Sequence, residues 1–502
     1  MKDYRKPAII LAFGLVVLTV LACLPYAPQR PFDARNYTRL SGMKVEQHPW
    51  TAVIEPLFAP LLIIAGAPNF KIAALVTLVW VFLGAGLWGM RSGFHSQKEK
   101  RLFPLLKRGA FSALIATSTL LVLLFFFVMA RVPGWRLVVS DPSLIVADLH
   151  SHTLMSHDGL MSTLTNLNLH ATCGYGMEAM TEHSFLVGHE VHGLADTALE
   201  RLPAVLSGLE VHVGARAILI GLVKKPTVKL EKSLILMQLF HSSRRMKGAG
   251  PAAGKPEDPA ALFAKKIHED GQGAVLAVTL KNLQTSDITR LADDGVDAFE
   301  IANCGHPDLP RALRRQVLAT CLSRGLVLLA DTDWHGWTGL TRTWNVIRAP
   351  GGVVLPRAQR ADFVLQKLRD HDGRDIIPVV TGYMGEPSLA RAVFSPFVET
   401  ARYAMELSPT RVISWWLWAW SVFFLSVSVE KKGFSPVDIL PALLVIATSI
   451  GLISAGLSVI RQGTGRTAFG FHAGLITIAV GVAAFGIAMF RGFGFLRARN
   501  RP

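Results

Sequence analysis

The sequence predicts an α/β domain set between two groups of transmembrane α-helices, and three observations carry the prediction. The chain is 51% hydrophobic with a mean hydropathy of +0.37, too apolar for an ordinary water-soluble protein. Uncharged apolar segments of membrane-crossing length cluster before residue 131 and after residue 412. Between residues 132 and 407 hydropathy falls, and short apolar runs alternate with amphipathic stretches.

Taken in order, the first apolar segment is 7–26, preceded by Lys2, Arg5 and Lys6. A cleaved signal peptide is its rival reading. The run ending at Cys23 is a poor lipoprotein signal, and more apolar segments follow, so a retained anchor is expected. Further spans are expected at 72–90, 111–129, 412–429, 439–459 and 469–490. Segment 50–67 is shorter and carries Glu55, Pro56 and Pro60, so a re-entrant or interfacial piece competes with a span.

Cytoplasmic loops near membrane spans accumulate Lys and Arg. Arg91, Lys98, Lys100, Arg101, Lys107 and Arg108 mark one such loop, and Lys431, Lys432 and the arginines after Arg491 fall on the same side. The middle domain is thereby expected outside the cytoplasm, in the cytoplasmic membrane of the cell, and a six-span arrangement also puts Lys2, Arg5 and Lys6 inside. The formal charge of +16 is read as basic loops beside anionic lipid, and no nucleic-acid partner is expected. Trp415, Trp416, Trp418 and Trp420 are expected to form an aromatic anchor or to pack between helices. The four cysteines form no C-x-x-C pair.

In the middle region strands are expected at 144–149, 177–181, 204–209, 274–278, 298–301 and 326–330, with helices at 259–269 and 311–324. That alternation implies a parallel sheet, open or closed into a barrel. Segment 242–255, rich in Gly, Ala and basic residues, is expected to be a mobile loop.

Asp148, His150 and His152 occupy alternate positions and project from one face if their strand continues. A lone H-x-H is weak, but Asp158-Gly159 follows, and His183, Glu210 and then Asp333 with His335 end later strand-like runs. Strand ends of parallel α/β folds converge on one face, which gathers these groups into one pocket. Imidazoles and carboxylates without thiolate suit Zn, Mn or Fe. The candidates His150, His152, Asp158, His183, Glu210, Asp333 and His335 outnumber what one tetrahedral zinc takes, so two divalent ions are expected.

Asp148 to Gly159, Thr181-Glu182-His183, Gly208-Leu209-Glu210 and Thr332-Asp333-Trp334-His335-Gly336 resemble, in order and spacing, the motifs of the polymerase and histidinol phosphatase (PHP) superfamily, with Glu182 where the family has Asp. The resemblance implies a distorted (β/α)7 barrel hydrolysing phosphate esters. On the family's usual extent the domain covers 144–385, leaving a membrane region of three or four helices at 1–131, linkers at 132–143 and 386–411, and a three-helix membrane region at 412–502. It also implies that His150, His152, Glu210 and Asp333 hold one metal and Asp158, His183 and His335 a second. Three-metal members add two histidines. Thr279-Leu280 stands where one is expected, no counterpart lies near Arg216, and His241 is read as a loop residue, so a two-metal centre is expected.

A metal-activated water then attacks phosphorus without a protein nucleophile. Arg342 is the first candidate to grip the phosphate, ahead of Arg244, Arg245 and Lys247. Asp148 is expected to orient a histidine. Glu300 and His306, near another strand end, are read as ordinary loop polarity. The substrate is expected to be a phosphorylated or ester compound, with membrane lipid as a partner and a lipid carrier inferred from location. Hydrolysis of a carbamate, amide or carboxylic ester is the alternative reaction. A non-catalytic sensor is the alternative class, weighed against the cost of burying so many ligands without an ion, and a transporter is disfavoured because Glu55 is the only prominent acid within a candidate span.

Overall fold

The computed structural model describes residues 4–24, 30–65, 70–96, 102–130, 135–183 except 157 and 160, 201–213, 217–224, scattered positions between 226 and 234, 258–280, 282–304, 309–336, 342–381 and 388–431. From the N-terminus, α1 (Arg5–Cys23) precedes β1 (Pro31–Asp33) and β2 (Met43–Gln47), and α2 (Thr51–Ala65), α3 (Phe70–Ser96) and α4 (Leu102–Ala130) follow. The chain continues through β3 (Trp135–Val139), β4 (Leu144–Ser151), α5 (Thr163–Thr172), β5 (Met177–Glu182), β6 (Ala204–Val213) and β7 (Ala217–Val223). Next come α6 (Pro259–Gly271), β8 (Ala274–Val278), α7 (Thr285–Asp293), β9 (Ala298–Asn303), α8 (Arg311–Arg324) and β10 (Val327–Asp331). After β11 (Thr343–Arg348), α9 (Arg357–Arg369) and β12 (Ile376–Thr381), three helices end the described chain: α10 (Leu389–Val393), α11 (Ser395–Met405) and α12 (Pro409–Lys431).

All six expected strands form. They belong to one ten-stranded curled sheet of order β1-β12-β11-β4-β5-β6-β7-β8-β9-β10. The sheet is mixed, which corrects the expectation of a parallel one. β4, β5 and β6 run parallel, as do β8, β9 and β10, but β7 is antiparallel to both its neighbours. β6 and β7 are joined over only three residues, too few for the crossover that parallel pairing requires. β11, β12 and β1 extend the other side with antiparallel pairs.

Curling brings β10 back to β4, where Ser151 bridges Trp334. Asp331 ties this seam, its Oδ1 accepting from the Leu149 N–H at 2.8 Å and from Asn345 Nδ2 at 2.6 Å. Side chains alternate across the sheet. Val275 and Ala277 of β8 face outward, towards α6, α7 and α8, whereas Leu276 and Val278 join an inner core with Val364, Leu365 and Leu368 of α9. Arg357 and Arg360 of α9 donate to the carbonyls of Pro203 and Gly176, at the starts of β6 and β5. α9 thus closes the N-terminal end of the strands and leaves the C-terminal end for chemistry.

Three boundaries differ from expectation. The stretch 132–143, read as a linker, contains β3, which pairs with β2. The stretch 386–411, also read as a linker, holds α10 and α11. Residues 31–47, assigned to the membrane region, supply the edge strand β1 and the partner of β3. Such pairings join residues far apart in sequence and leave no local periodicity to read.

Among the described residues, the helical segments Arg5–Cys23 and Ile72–Arg91 are long and apolar enough to cross a membrane. The expected span 111–129 falls in α4 and 412–429 in α12, while 439–459, 469–490 and the loop 242–255 lie outside the described residues. α3 and α4 pack closely through small residues: a Cβ at Gly109 would stand 2.6 Å from Met90 Cγ. α2 is 15 residues long, about 22 Å, which is short of a hydrocarbon core of about 30 Å. Its buried Glu55 pairs with buried Arg411 of α12, Oε2 to Nη1 at 2.8 Å. Trp415, Trp416 and Trp418 spend their indole N–H groups between helices, on Tyr403 Oη, Thr19 Oγ1 and the Val53 carbonyl.

Candidate metal centre

The strand ends deliver the ligand candidates. β4 continues to Ser151 with a register irregularity after Asp148, and His150 and the next-but-one His152 bring their Nε2 atoms to 3.0 Å of each other. Glu210 projects from β6, where the run stays buried from Leu206 to Val211. Asp333 follows β10 with φ +49°, a left-handed turn that Asp tolerates better than most residues. The turn is fixed by its N–H donating to the His150 carbonyl at 2.8 Å, and the His152 N–H in turn donates to the Trp334 carbonyl at 2.8 Å.

His150, His152, Glu210 and Asp333 converge with all four side chains buried. His150 Nε2 lies 3.0 Å from His152 Nε2, 2.8 Å from Glu210 Oε2 and 3.4 Å from Asp333 Oδ1, and His152 Nε2 lies 3.2 and 3.3 Å from the same two oxygens. A tetrahedron with edges of about 3.3 Å has its centre about 2.0 Å from each corner, the length of zinc bonds to nitrogen and carboxylate oxygen. The donor set therefore fits a divalent cation.

A second group adjoins it. His183 Nε2 and His335 Nε2 each lie 3.3 Å from a different oxygen of Asp158. Glu210 reaches towards this group with its other oxygen, Oε1 standing 3.5 Å from His183 Nδ1. The rings of His183 and His335 both stack against His152, with centroids at 4.6 and 4.1 Å, and lie 5.9 Å from each other. Gly159 makes this possible, since a Cβ there would meet the Thr153 carbonyl oxygen at 1.9 Å; only glycine lets the loop fold back and present Asp158.

On His150, His152, Glu210 and Asp333 burial opposes charge, yet the pairs outweigh it. For His152, burial lowers the pKa, but bonds to Asp333 and Glu210 push it up to about 9. His150 is likewise raised well above the usual histidine value, by Glu300, Asp333 and Glu210 against the effect of burial. Burial would raise Asp333, but His150 and His152 bring it down to about 2. Glu210 is held well below the carboxylate range by the same histidines in spite of burial. Without an ion the cluster is a set of imidazolium and carboxylate pairs, with protons where a cation would sit.

Residues around the ligands fix their orientation. Glu300 Oε1 lies 2.7 Å from His150 Nδ1, and Asn303 Nδ2 donates to its other oxygen at 2.8 Å. Glu182 accepts from Thr153 Oγ1 and Ser156 Oγ, both at 2.6 Å, and Ser156 Oγ stands 3.1 Å from His152 Nδ1. Glu300, expected to be ordinary loop polarity, lies within β9 and is buried; an acid inside an apolar strand run is the signal that marks it. Asp148 Oδ2 lies 2.9 Å from His170 Nε2, and among the described residues no ring of a ligand candidate is seen to bond it. Asp148 also accepts from the Thr332 N–H and Oγ1, so it braces the seam between β4 and β10.

Arg342 immediately precedes β11, and among the described residues no contact between it and the ligand candidates is seen. Burial, with repulsion from Arg402, pushes its guanidinium down to about 10, and its other charged neighbours are Glu399 and Glu406. It thus faces α11. Thr279 is buried, with no partner for its hydroxyl among the described residues. Arg216, His241, Arg244, Arg245, Lys247 and His306 lie outside the described residues.

No family model and no curated protein matches this chain. Solved structures that resemble it include a protein of Bifidobacterium adolescentis described provisionally as a metal-dependent phosphoesterase, with 17% identity over 38% of this chain and 88% of that one, TM-score 0.31. PsfC from Pseudomonas syringae shares 15% identity over 53% of this chain and 99% of its own, TM-score 0.32. An amidohydrolase from Chromobacterium violaceum with bound sulfate and no metal shares 15% over 43% and 96%, TM-score 0.29. Similarity of this extent says nothing of the reaction; what this chain has of its own is a curled α/β sheet with a His, Glu and Asp cluster able to hold a metal at its strand ends.

Proposed function

We propose that this protein is a membrane-integrated, metal-dependent hydrolase of the PHP type, acting on phosphoric esters. The observation that carries the reading is Glu210, whose two oxygens face different histidine groups: Oε2 meets His150 and His152, and Oε1 meets His183. A carboxylate so placed fits a bridge between two divalent ions, one on His150, His152, Glu210 and Asp333 and one on Asp158, His183 and His335. Bound there, Zn, Mn or Fe would supply acidified water and charge neutralisation for an ester oxygen. The chain's own part is to hold the ligand rings in one tautomer through Glu300 and Ser156, and to exclude water from the buried half of the site. Arg342, the basic residue shortly after the Asp333 and His335 motif, is our candidate to bind an anionic substrate.

The membrane reading rests on the apolar helices and on the basic loop after α3, which favours a cytoplasmic loop and an extracytoplasmic α/β domain. The short α2, with Glu55 held by Arg411, fits a segment that enters and returns on the domain's side.

Purified in detergent, the protein should carry divalent metal by elemental analysis and hydrolyse phosphomonoesters or phosphodiesters when Mn or Zn is added. Turnover of carboxylic esters or amides alone would move the reaction to the carbonyl branch. Metal absent and no turnover of any class would defeat the hydrolase reading.

A further inference from the structure

The apolar helices and the metal centre meet the sheet at the same end. Thr343 is a landmark for that end: its Oγ1 donates to the Asp331 carbonyl at 2.8 Å, two residues before Asp333. Thr343 stands opposite Val380 in the ladder, and Thr381 stands opposite Pro31. Pro31 begins the strand that follows α1, and Thr381 ends the strand that precedes α10, α11 and α12. The third connection, from α4, enters β3 at Trp135, whose ring lies 5.6 Å from the Arg411 guanidinium at the start of α12. The opposite end of the barrel is closed by α9 and its arginines.

Between the pocket and the apolar helices lie α10 and α11. α11 packs against α1, α2 and α3. Trp80 of α3 donates to the Val393 carbonyl at 2.9 Å and meets the Phe397 ring edge-on at 5.1 Å. On this same side the pair is apolar and partly open, with Leu389 83% exposed, Phe394 52% and Phe397 54%. This face continues the surface of α3, which carries one of the apolar segments long enough to cross a bilayer. Arg402 of α11 pairs with Glu399 and Glu406 at 2.9 and 3.6 Å, and Arg342 is a charged neighbour of this cluster. A pair of short helices that exposes apolar and aromatic side chains beside an apolar span is suited to the boundary layer of a bilayer.

Resting on the membrane-integrated hydrolase reading above, we infer that the mouth of the metal centre faces the bilayer, with α10 and α11 seated in the near leaflet. The substrate is then an amphiphile: its anionic, phosphate-bearing head enters past Arg342 while its apolar part stays in lipid. A soluble phosphate ester would have to reach a site turned towards the membrane, whereas a lipid-borne one diffuses to it in two dimensions.

The test uses the full chain in phosphatidylcholine vesicles, with Cys23→Ser as background. Bimane is attached at Leu389→Cys and, as a control at the α9 end of the barrel, at Val354→Cys, since Val354 is 53% exposed. Doxyl lipids labelled near the headgroup should quench the first probe and spare the second. Equal quenching at both sites, or none at either, would overturn the placement; so would a blue-shifted Leu389 probe that no doxyl lipid quenches, which would mean that protein, such as a second copy, covers the face. In parallel, turnover of dioleoyl phosphatidate in the vesicles is compared with that of 4-nitrophenyl phosphate. Leu389→Glu should lower the first severalfold and leave the second unchanged. Cleavage of 4-nitrophenyl phosphate with none of phosphatidate, or equal loss of both, would overturn the lipid substrate. Absence of both activities in the unaltered protein would defeat the hydrolase reading and with it the substrate, while the quenching still decides the placement.

Discussion

Glu300 Oε1 lies 2.7 Å from His150 Nδ1, on the side of the ring opposite to Glu210 and Asp333. A carboxylate in this position fixes the Nδ1–H tautomer, turns Nε2 with its lone pair towards the pocket and raises the basicity of the imidazole. Glu300→Gln should therefore weaken metal binding by about 10- to 100-fold with the fold retained, as read by competition with a chromophoric chelator. Affinity equal to that of the unaltered protein would remove Glu300 from the centre.

The ion pairs of the metal-free site give stability a definite pH dependence. His152 titrates at about 9 in the folded chain against about 6.5 unfolded, so its contribution is full below 6.5 and is lost as pH rises through 9. That loss is on the order of 3 kcal/mol. Asp333, brought down to about 2 from about 3.8, contributes above its unfolded value and loses that contribution as pH falls towards 2. The metal-free melting temperature should be highest between about pH 4 and 6.5 and decline towards pH 9. Metal affinity should run the other way, rising with pH across the same window, because binding displaces those histidine protons. Calorimetric melting of metal-free and metal-loaded protein at pH 5, 7 and 9 checks both.

Glu182 accepts from Thr153 N, Thr153 Oγ1 and Ser156 Oγ, all buried. Glu182→Ala strands these donors, and each buried unsatisfied donor costs about 1–3 kcal/mol. A loss of at least about 2 kcal/mol in denaturant titration is expected, with weaker metal binding because Ser156 no longer holds His152. Glu182→Asp, the residue of the PHP motif, is one methylene shorter and should keep only part of both.

Much of the site was legible because its residues end strands. His150 and His152 follow from a strict alternation in β4, and His183, Glu210 and Asp333 from apolar runs that stop at a polar group. The geometry of their support was not legible, since Glu300 and Asn303 differ from ordinary loop residues only through a fold that brings β9 opposite β4. β7 escaped notice because an unbroken apolar run can be buried helix or strand. The linkers were not legible for a related reason: α10 is only five residues long, and β3 acquires a role only through β2, which lies beyond three helices in the chain.

Glu55 and Arg411 form a buried pair joining α2 to α12, with Thr51 Oγ1 3.5 Å from the same guanidinium. Removing one partner leaves the other charge buried alone, at about 3–5 kcal/mol. Arg411→Met and Glu55→Gln should each lower the melting temperature in detergent, and the double variant should recover much of the loss, since a well-packed neutral pair often matches a buried ionic one. Additive losses in the double variant would show the two residues acting independently.

Asp158 separates the two candidate ion positions in a testable way. Its oxygens face His183 and His335, while His150, His152, Glu210 and Asp333 close around their own point without it. Asp158→Asn should thus reduce bound metal from about two ions per chain to about one by elemental analysis, and the remaining ion should keep the affinity of the buried site. His150→Ala, by contrast, removes a corner of the four-ligand cluster and should empty that position first. If Asp158→Asn abolished all binding, the two groups would form a single coordination sphere, and the bridging role of Glu210 would fall with the second ion.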